Sequence, residues 1–305
     1  MKTVSLTSPP SILPLYARAA APMVPGASLL PFVPGGGGEI PEIELELTGV
    51  KTDPEALANY TKVCGFALRD HLPVTYPHVL AFPLQMAVMA DGSFPFGAVG
   101  LVHVENRIAQ RRPIAVGEEL TICVRPTKLE PHPKGKTFTL QTVVLSGEEV
   151  VWDETSTMLR RGKPNGGEVA VDPGMRDQTQ PRAEAGFAAL PEDAPASAEW
   201  RLGGDLGRRY ASVSGDRNPI HMHALTAKPL GFPAAIAHGM WTKARCLAAL
   251  ESRLPDAFTA EVRFRKPILL PARVEFASAE ADDAEINFSV RDAKRNQPHL
   301  DGRIK

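Results

Sequence analysis

The sequence lacks two features that would place it in a specialised class of proteins. It has only three cysteines, Cys64, Cys123 and Cys246, with no CxxC pair, so neither a disulfide framework nor a cysteine-rich zinc site is indicated. An odd number of widely spaced cysteines is typical of reduced thiols, and we therefore expect a cytoplasmic protein. No apolar run reaches the roughly 18 residues of a membrane-spanning helix, and prolines interrupt the apolar stretch before Ala19. We expect neither a membrane span nor a secretory signal.

An excess of charge of one sign is also missing. The chain carries 34 basic and 35 acidic residues, a net charge of −1, so nucleic acid and anionic membranes are not expected partners. Hydrophobic residues make up 43% and charged residues 23% of the 305 positions, which is an ordinary globular balance. This length is sufficient for two domains of common size.

Two segments rich in glycine and proline divide the chain. The first forty residues end in PGGGGE, Pro34 to Glu39, and predict an extended N-terminal arm over residues 1–40. A second segment with few large apolar residues, which includes GKPNGGE and LPEDAPASA, predicts a linker over residues 163–198. The predicted domains are therefore residues 41–162 and 199–305.

The two predicted domains repeat the same order of elements. Each begins with a short helix, which in the first domain carries Asp53 as N-cap and Pro54 at its first position. A longer apolar helix and several strands with glycine-centred turns follow. Matching residues recur at offsets of 150 and 154, which indicates a duplication: Tyr60, Val63 and Gly65 match Tyr210, Val213 and Gly215, and Arg112-Pro113-Ile114 match Lys266-Pro267-Ile268.

A polar cluster belongs to the second half only. It consists of SGDRNPIH, Ser214 to His221, and of AHGM, Ala237 to Met240. At an offset of 150 the first half has Phe66 and Leu68 in place of the acid and the amide, and only His71 falls opposite a histidine. A cluster needed for folding would be expected in both halves, so its asymmetry favours a function.

A purely structural role for these residues is the alternative. Asp216 or Asn218 would cap a turn, because Asn before proline is common turn chemistry. His221 and His223 would then be ordinary surface residues. Their HxH spacing suits a zinc pair, but no cysteine or carboxylate lies nearby at ligand spacing, so we expect no metal. The local residues alone leave the structural and the functional interpretation open.

The motif YASVSGDRNPIH, followed further on by IAHGM, resembles the MaoC-like (R)-specific enoyl-thioester hydratases and dehydratases. Across the whole chain the sequence is similar to the two-domain actinobacterial 3-hydroxyacyl-thioester dehydratases, and HVENRIAQRRPIAVGEEL and VRFRKPILLPA look like that group as well. The resemblance implies an α+β double hot-dog fold. Each half would wrap an antiparallel sheet around one long helix, with a degenerate N-terminal half and a catalytic C-terminal half. The halves would imitate a hot-dog dimer within one chain, and further homo-oligomerisation is left open.

The residue types suit the reaction that the resemblance implies. Dehydration of a 3-hydroxyacyl thioester takes a proton from C2 and expels hydroxide from C3, so it needs an acid and a base, which Asp216 and His221 would supply. Charge that develops on the thioester oxygen needs a fixed donor, and Gly239 offers its backbone N–H where the long helix begins. The supporting residues would be Ser214, Asn218 and His238. The resemblance further implies (R) stereochemistry, a substrate carried by CoA or acyl carrier protein, and no cofactor.

The first half is predicted to shape the groove for the acyl chain. Freed of catalysis, its pseudo-site would accept an apolar tail, and the expected lining residues are Phe66, Leu68, Leu80, Phe82 and Met86. The alternative is that these residues only fill the vacated site as core. Two other functions also stay open, a hot-dog thioesterase and a non-catalytic acyl-binding subunit of a dehydratase complex.

Overall fold

The computed structural model describes residues 2–21, 38–127, 129–162, 190–191, 194–281 and 285–305. Within these ranges the strands are β1 (Lys2–Leu6), β2 (Ile43–Val50), β3 (Val102–Gln110), β4 (Leu120–Pro126), β5 (Glu130–His132), β6 (Gly135–Ser146), β7 (Glu149–Arg161), β8 (Ala198–Leu202), β9 (Phe258–Phe264), β10 (Ala272–Glu280), β11 (Ile286–Asp292) and β12 (Pro298–Ile304). The α-helices are α1 (Ile12–Ala20), α2 (Pro54–Cys64), α3 (Tyr76–Met89), α4 (Leu206–Ser214), α5 (Pro219–Met222), α6 (Ala224–Ala227) and α7 (Gly239–Ala249).

Local sequence sets the ends of the short helices. Asp53 accepts hydrogen bonds from the N–H groups of Glu55 and Ala56, which confirms it as the N-cap of α2. Gly65 ends α2 and Gly215 ends α4, both with a left-handed backbone at φ values of 85° and 76°. Glycine takes up this conformation without steric cost, so the matched glycines end matched helices.

The order of strands in the sheet shows the duplication directly. The first half runs β2-β4-β6-β7-β3 and the second half continues β9-β12-β11-β10-β8, the same order in reverse. β3 and β9 meet in the middle as an antiparallel pair, in register from Glu105 opposite Arg263 to Gln110 opposite Phe258. One sheet therefore joins two equivalent halves, which confirms the predicted double hot-dog architecture.

The core lies between this sheet and the helices. α3 packs on β2, β4 and β6, and ten of its fourteen residues are buried while the other four are half-buried. α7 lies over the junction of the halves, where the ammonium group of its residue Lys243 donates a hydrogen bond of 3.0 Å to the carbonyl oxygen of Ala260 in β9. Tyr60 of α2 and Tyr210 of α4 approach each other with ring centroids 6.3 Å apart. The two halves thus share one core.

The extended arm predicted over residues 1–40 is wrong for its described part. Residues 2–6 form β1, which pairs in parallel with β2 from Lys2 opposite Ile43 to Leu6 opposite Leu47. Residues 12–20 form α1, which packs against α3. Proline and glycine are concentrated further along, at residues 22–37, outside the described residues, as is most of the predicted linker. The second domain begins with β8 at Ala198, close to the predicted boundary.

The match of His71 with His221 is also wrong. His71 forms a β-bridge with Ala115 in the first half, and Ile236 forms the corresponding bridge with Leu269 in the second. Ala115 and Leu269 follow the matched Arg-Pro-Ile and Lys-Pro-Ile segments, so His71 corresponds to Ile236. Six positions separate Gly65 from His71, whereas 21 separate Gly215 from Ile236. The polar cluster therefore begins an insertion that the first half lacks altogether.

The three cysteines are unpaired, and burial raises the pKa of the Cys64 thiol to about 12. Among the described helices, none has the length and apolar character that crossing a bilayer would require.

Candidate active site

The predicted cluster lines a cavity of about 800 Å³ between the two halves. One wall comes from the first half, from α3 and the strands β3, β6 and β7. The opposite wall comes from the insertion after Gly215 and from the start of α7. Asp216, His221 and Gly239 all lie on this second wall, so the structure brings together the three residues predicted to carry the chemistry.

The backbone turn after α4 holds Asp216 in place. Ser214 Oγ accepts the Asp216 N–H at 3.2 Å, and the Asp216 Oδ1 atom accepts the Asn218 N–H at 3.0 Å. Oδ1 also accepts a hydrogen bond of 2.8 Å from the hydroxyl of Tyr16 in α1. Burial on its own would raise the pKa of Asp216, but the neighbouring histidines and these hydrogen bonds outweigh burial and lower it.

Asn218 and Ser214 both bond to the backbone, and for Asn218 this is the turn cap of the structural alternative. The Asn218 side chain is the N-cap of α5 and accepts the Ile220 N–H at 3.5 Å. Its role as a capping residue sets the direction of the short helix that carries His221. Both residues therefore hold the backbone that carries Asp216 and His221, and the supporting role predicted for them in catalysis stays a prediction.

His221 is held in one tautomer. Its side chain is buried, and its Nδ1 atom lies 2.8 Å from the carbonyl oxygen of Ile236. A carbonyl only accepts, so Nδ1 carries the proton and Nε2 keeps a lone pair when the ring is neutral. Burial lowers the pKa of His221, which favours this neutral form.

His238 supports the dyad from behind. Its ring stacks on that of His221 with centroids 3.7 Å apart and an angle of 24° between the planes. Its Nε2–H donates to the backbone carbonyl of Asp216 at 3.0 Å. Burial lowers the pKa of His238 to about 3, so the ring is neutral near pH 7. These contacts fit the supporting role that the sequence suggested.

Gly239 is the first residue of α7. The first hydrogen bond within this helix runs from the Thr242 N–H to the carbonyl of His238, so the Gly239 N–H has no acceptor in the helix. A Cβ atom at this position would lie 2.9 Å from the ring of Phe264, which explains the glycine. The site thus has a backbone donor at a helix N-terminus, where the helix dipole favours negative charge.

The same groups lie close enough together to be considered as metal ligands. One carboxylate oxygen of Asp216 and one nitrogen each of His221 and His238 lie within 4.8 Å of one another. His221 Nδ1 and His238 Nε2 already donate hydrogen bonds to backbone carbonyls. A metal bound by both rings would therefore need their other nitrogens, His221 Nε2 and His238 Nδ1.

The predicted acyl groove is wrong in four of its five residues. Phe82 lines the cavity, but Phe66 stacks on Tyr60, and Leu68 is 69% exposed on a loop. Leu80 and Met86 lie on α3 but not on the cavity wall. The stripe of α3 that lines the cavity is instead formed by residues at helical spacing, namely His78, Phe82, Gln85 and Met89.

A buried polar network behind this stripe was missed. The Glu154 carboxylate accepts hydrogen bonds from His78 Nδ1 at 2.8 Å, Gln85 Nε2 at 3.1 Å and Asn106 Nδ2 at 2.6 Å. Burial opposes ionisation of Glu154, but the nearby His78 and these bonds lower its pKa to about 2. Burial also lowers the pKa of Lys243, which donates to Asn106, to about 7. His78 and Gln85 make the wall of the cavity partly polar.

Tyr16 is a further residue that the sequence did not predict at the site. It lies within ILPLYARAA, where nothing but helical spacing of apolar residues is visible. Its partner Asp216 lies 200 positions further along, so no local pattern points to the contact.

The fold and the site together define a double hot-dog protein with an Asp–His pair that faces a helix N-terminus. Comparison with known proteins is more specific. Residues 191–300 match the family described as MaoC like domain. Over 97% of its length the chain is 37% identical to 3-hydroxyacyl-thioester dehydratase X of Mycobacterium tuberculosis, of which it covers 98%. The chain belongs to the MaoC-like dehydratase family.

Solved structures agree with this assignment. The crystal structure of HtdX of Mycobacterium tuberculosis has a TM-score of 0.73 and 36% identity, over 86% of this chain and 98% of that one. A second Mycobacterium tuberculosis protein, described as having a double hot-dog fold, has a TM-score of 0.51 and 14% identity, over 88% of this chain and 94% of its own. At that identity the second likeness shows the fold alone.

Proposed function

We propose that the protein interconverts (R)-3-hydroxyacyl and trans-2-enoyl thioesters by syn removal or addition of water. The observation that carries this proposal is the placement of Asp216, His221 and the Gly239 N–H on one wall of a cavity between the halves. Family membership and the dehydratase name of the relative support it. Both walls come from one chain, so the site is complete without a second copy.

The tautomer of His221 supports this residue as the proton acceptor. Its Nε2 lone pair takes the C2 proton, whereas Asp216 Oδ1 already accepts hydrogen bonds from Tyr16 and from the Asn218 N–H. The imidazolium then passes the same proton to the hydroxyl that leaves C3, so water departs and the dyad returns to its starting state. One group serving both carbons requires that they be attacked from the same face, which makes the elimination syn.

Asp216 stabilises this proton transfer. Its carboxylate attracts the transient imidazolium and accepts a hydrogen bond from the leaving hydroxyl. Two acceptors bridged by one water lie roughly 4.5 Å apart, since each bond measures about 2.8 Å. One nitrogen of His221 and one carboxylate oxygen of Asp216 lie within 4.8 Å of each other, so the two side chains are close enough to share one water or hydroxyl. In the reverse direction the same pair orients the attacking water.

Gly239 stabilises the charge on the thioester. Loss of the C2 proton moves negative charge to the thioester oxygen, where a fixed N–H at a helix start lowers the barrier. The missing side chain lets the thioester approach the backbone. Because this donor lies beside the dyad, one bound geometry serves both.

Two exposed lysines at the cavity are suited to bind the phosphate groups of the molecule that carries the acyl chain. Lys134 of the first half and Lys266 of the second line the cavity and are exposed. CoA and acyl carrier protein both present a phosphopantetheine arm, and a lysine ammonium pairs well with phosphate. We therefore infer a phosphopantetheine thioester as the substrate class.

The test is turnover of crotonyl-CoA. We expect loss of the enoyl absorbance, no release of free thiol, and an (R)-3-hydroxybutyryl product on chiral chromatography. Thiol release would instead indicate a thioesterase. If circular dichroism shows a folded protein but neither the enoyl absorbance nor the free thiol changes with enoyl-CoA esters of four to sixteen carbons, the proposal is overturned in favour of an acyl-binding subunit.

A further inference from the structure

The N-terminal helix contributes a hydrogen bond to the candidate catalytic carboxylate. The Tyr16 hydroxyl donates to Asp216 Oδ1 at 2.8 Å and accepts the N–H of the next residue, Arg217, at 2.7 Å. The hydroxyl thus acts both as a donor and as an acceptor at the turn that carries Asp216. Tyr16 is not part of the cavity wall, so its contact comes from behind the carboxylate.

The fold holds α1 against this turn. β1 is anchored by its parallel pairing with β2, and α1 follows after a short connection. Ile12 packs on Gly215 so closely that a Cβ there would lie 2.6 Å from the Ile12 Cδ1 atom. The same glycine has a positive φ of 76°. Gly215 therefore allows the chain to turn before Asp216 and leaves room for α1 to pack against it.

The two oxygens of Asp216 consequently differ. Oδ1 accepts from Tyr16 and from the Asn218 N–H. Oδ2 lies 3.7 Å from His238 Nε2, beyond hydrogen-bonding distance, and that nitrogen already donates to the Asp216 carbonyl at 3.0 Å. A carboxylate with one oxygen fixed in this way has a set orientation, and Oδ2 is the oxygen available to a substrate.

We propose that Tyr16 is a positioning residue, which orients Asp216 through Oδ1 so that Oδ2 works on the substrate. This inference rests on the proposed function, because it requires an ionised Asp216 in turnover. It also assigns a purpose to the N-terminal segment, which brings the hydroxyl to the site. Tyr16 itself does not touch the reacting atoms.

The titratable groups around Asp216 determine how a substitution at Tyr16 would change the pKa of the Asp216 carboxyl. The titratable groups that face the carboxylate are Tyr16 of α1, Tyr210 of α4, His221 of α5 and His238 before α7. Burial and the Asp216 charge raise the pKa of Tyr16 far above its usual value, so its hydroxyl stays protonated. A hydrogen bond donated to the charged form lowers the pKa of a carboxyl, and its removal raises that pKa.

The decisive experiment compares wild type with Tyr16→Phe in the full chain. The substitution keeps the ring and removes only the hydroxyl. We expect kcat to fall by roughly tenfold, with KM changed by less than about twofold, because a group that acts through Asp216 affects the transition state more than binding. Leu13→Ala is the matched control, since Leu13 lies on the same helix and is 72% exposed. It should match wild type.

A second readout does not depend on turnover. The Asp216 carboxyl carbon is followed by NMR in protein labelled at aspartate, with Asp216→Asn for assignment. Tyr16→Phe should raise the titration midpoint of this carboxyl by about one pH unit, the usual size of one lost charge-assisted bond. An unchanged midpoint together with unchanged kcat overturns the inference. If wild type fails to hydrate enoyl-CoA but the midpoint still moves, the proposed function fails and the positioning role stands.

Discussion

His221 and His238 stack face to face with ring centroids 3.7 Å apart. Each ring donates a hydrogen bond to a backbone carbonyl. Neither ring can be protonated without placing a buried charge beside the other. Burial lowers the pKa of His221 and so favours the neutral ring, with the Nε2 lone pair available to the substrate.

The pH dependence of turnover follows from this arrangement. Burial lowers the pKa of His221 below the ordinary 6.5, so its neutral form persists as the pH falls through that value. We expect the acidic limb of kcat/KM to lie below pH 6.5, measured with crotonyl-CoA in buffers of constant ionic strength. An acidic limb at or above pH 6.5 would contradict the assignment of His221 as proton acceptor.

Replacement of either member of the dyad should abolish most activity without unfolding the protein. Asp216→Asn and His221→Ala are each expected to lower kcat by at least ~10²-fold, the lower range for a lost acid or base. His223→Ala is the matched control, because His223 is exposed two residues away and does not line the cavity. Wild-type turnover by folded Asp216→Asn protein would remove that residue from the mechanism.

His71 should have no part in turnover. It lies at a β-bridge with Ala115, makes an exposed contact with Asp70 and is not on the cavity wall. His71→Ala is therefore expected to keep kcat within about twofold, as for a residue without a transition-state role. A loss as large as that of His221→Ala would mean that the first half carries a second working site.

The cavity-facing stripe of α3 should control the acceptance of long acyl chains. Met89 lines the cavity, and Met89→Trp should lower kcat/KM for long enoyl-CoA esters while sparing crotonyl-CoA, because each excluded CH₂ forfeits about 0.8 kcal/mol of burial. Substrates of four to sixteen carbons provide the measurement. Leu80→Trp is the control, since Leu80 lies on α3 outside the cavity wall. If kcat/KM falls equally for every acyl-chain length in both variants, the acyl tail does not bind along this stripe of α3.

The buried Glu154 network should make stability depend on acid. The folded pKa of Glu154, about 2, lies below the ordinary 4.5, so its contribution is complete above pH 4.5 and is lost as the pH falls towards 2. Glu154→Gln should flatten the pH dependence of the unfolding free energy in that window. At pH 7 it should also cost about 3 kcal/mol, because His78 loses the buried carboxylate to which it hydrogen-bonds.

Denaturant unfolding between pH 2 and 7 measures both effects. Glu149→Gln is the control, since Glu149 is an exposed partner of Arg112 and a surface ion pair contributes little. A Glu154→Gln protein with the wild-type slope between pH 4.5 and 2 would show that Glu154 is not the group that titrates there.

Residues close together in the chain were predictable from the sequence. Asp216, Asn218 and His221 lie within one turn and one short helix, and Gly239 begins the next long helix, so local rules for caps and helix starts place their backbones. The repeat of Tyr60 and Gly65 at a fixed offset predicted two equivalent halves, and the reversed strand order confirms it. The same rule failed for His71, because the insertion after Gly215 shifts the register where the halves differ most.

The sequence by itself determined the local motif that carries the candidate chemistry, because that motif depends on residue order over short distances. The family and the double fold followed from a resemblance along the whole chain and from matched segments in its two halves. Only the tertiary structure decided which side chains surround that motif. α3 is apolar and buried on nearly every side, so no period in its sequence distinguishes the cavity face of Phe82 from that of Met86. Tyr16 meets Asp216 across 200 positions through the pairing of β1 with β2 and the packing of α1 on Gly215. Such contacts arise from how whole elements pack, which short sequence patterns do not record.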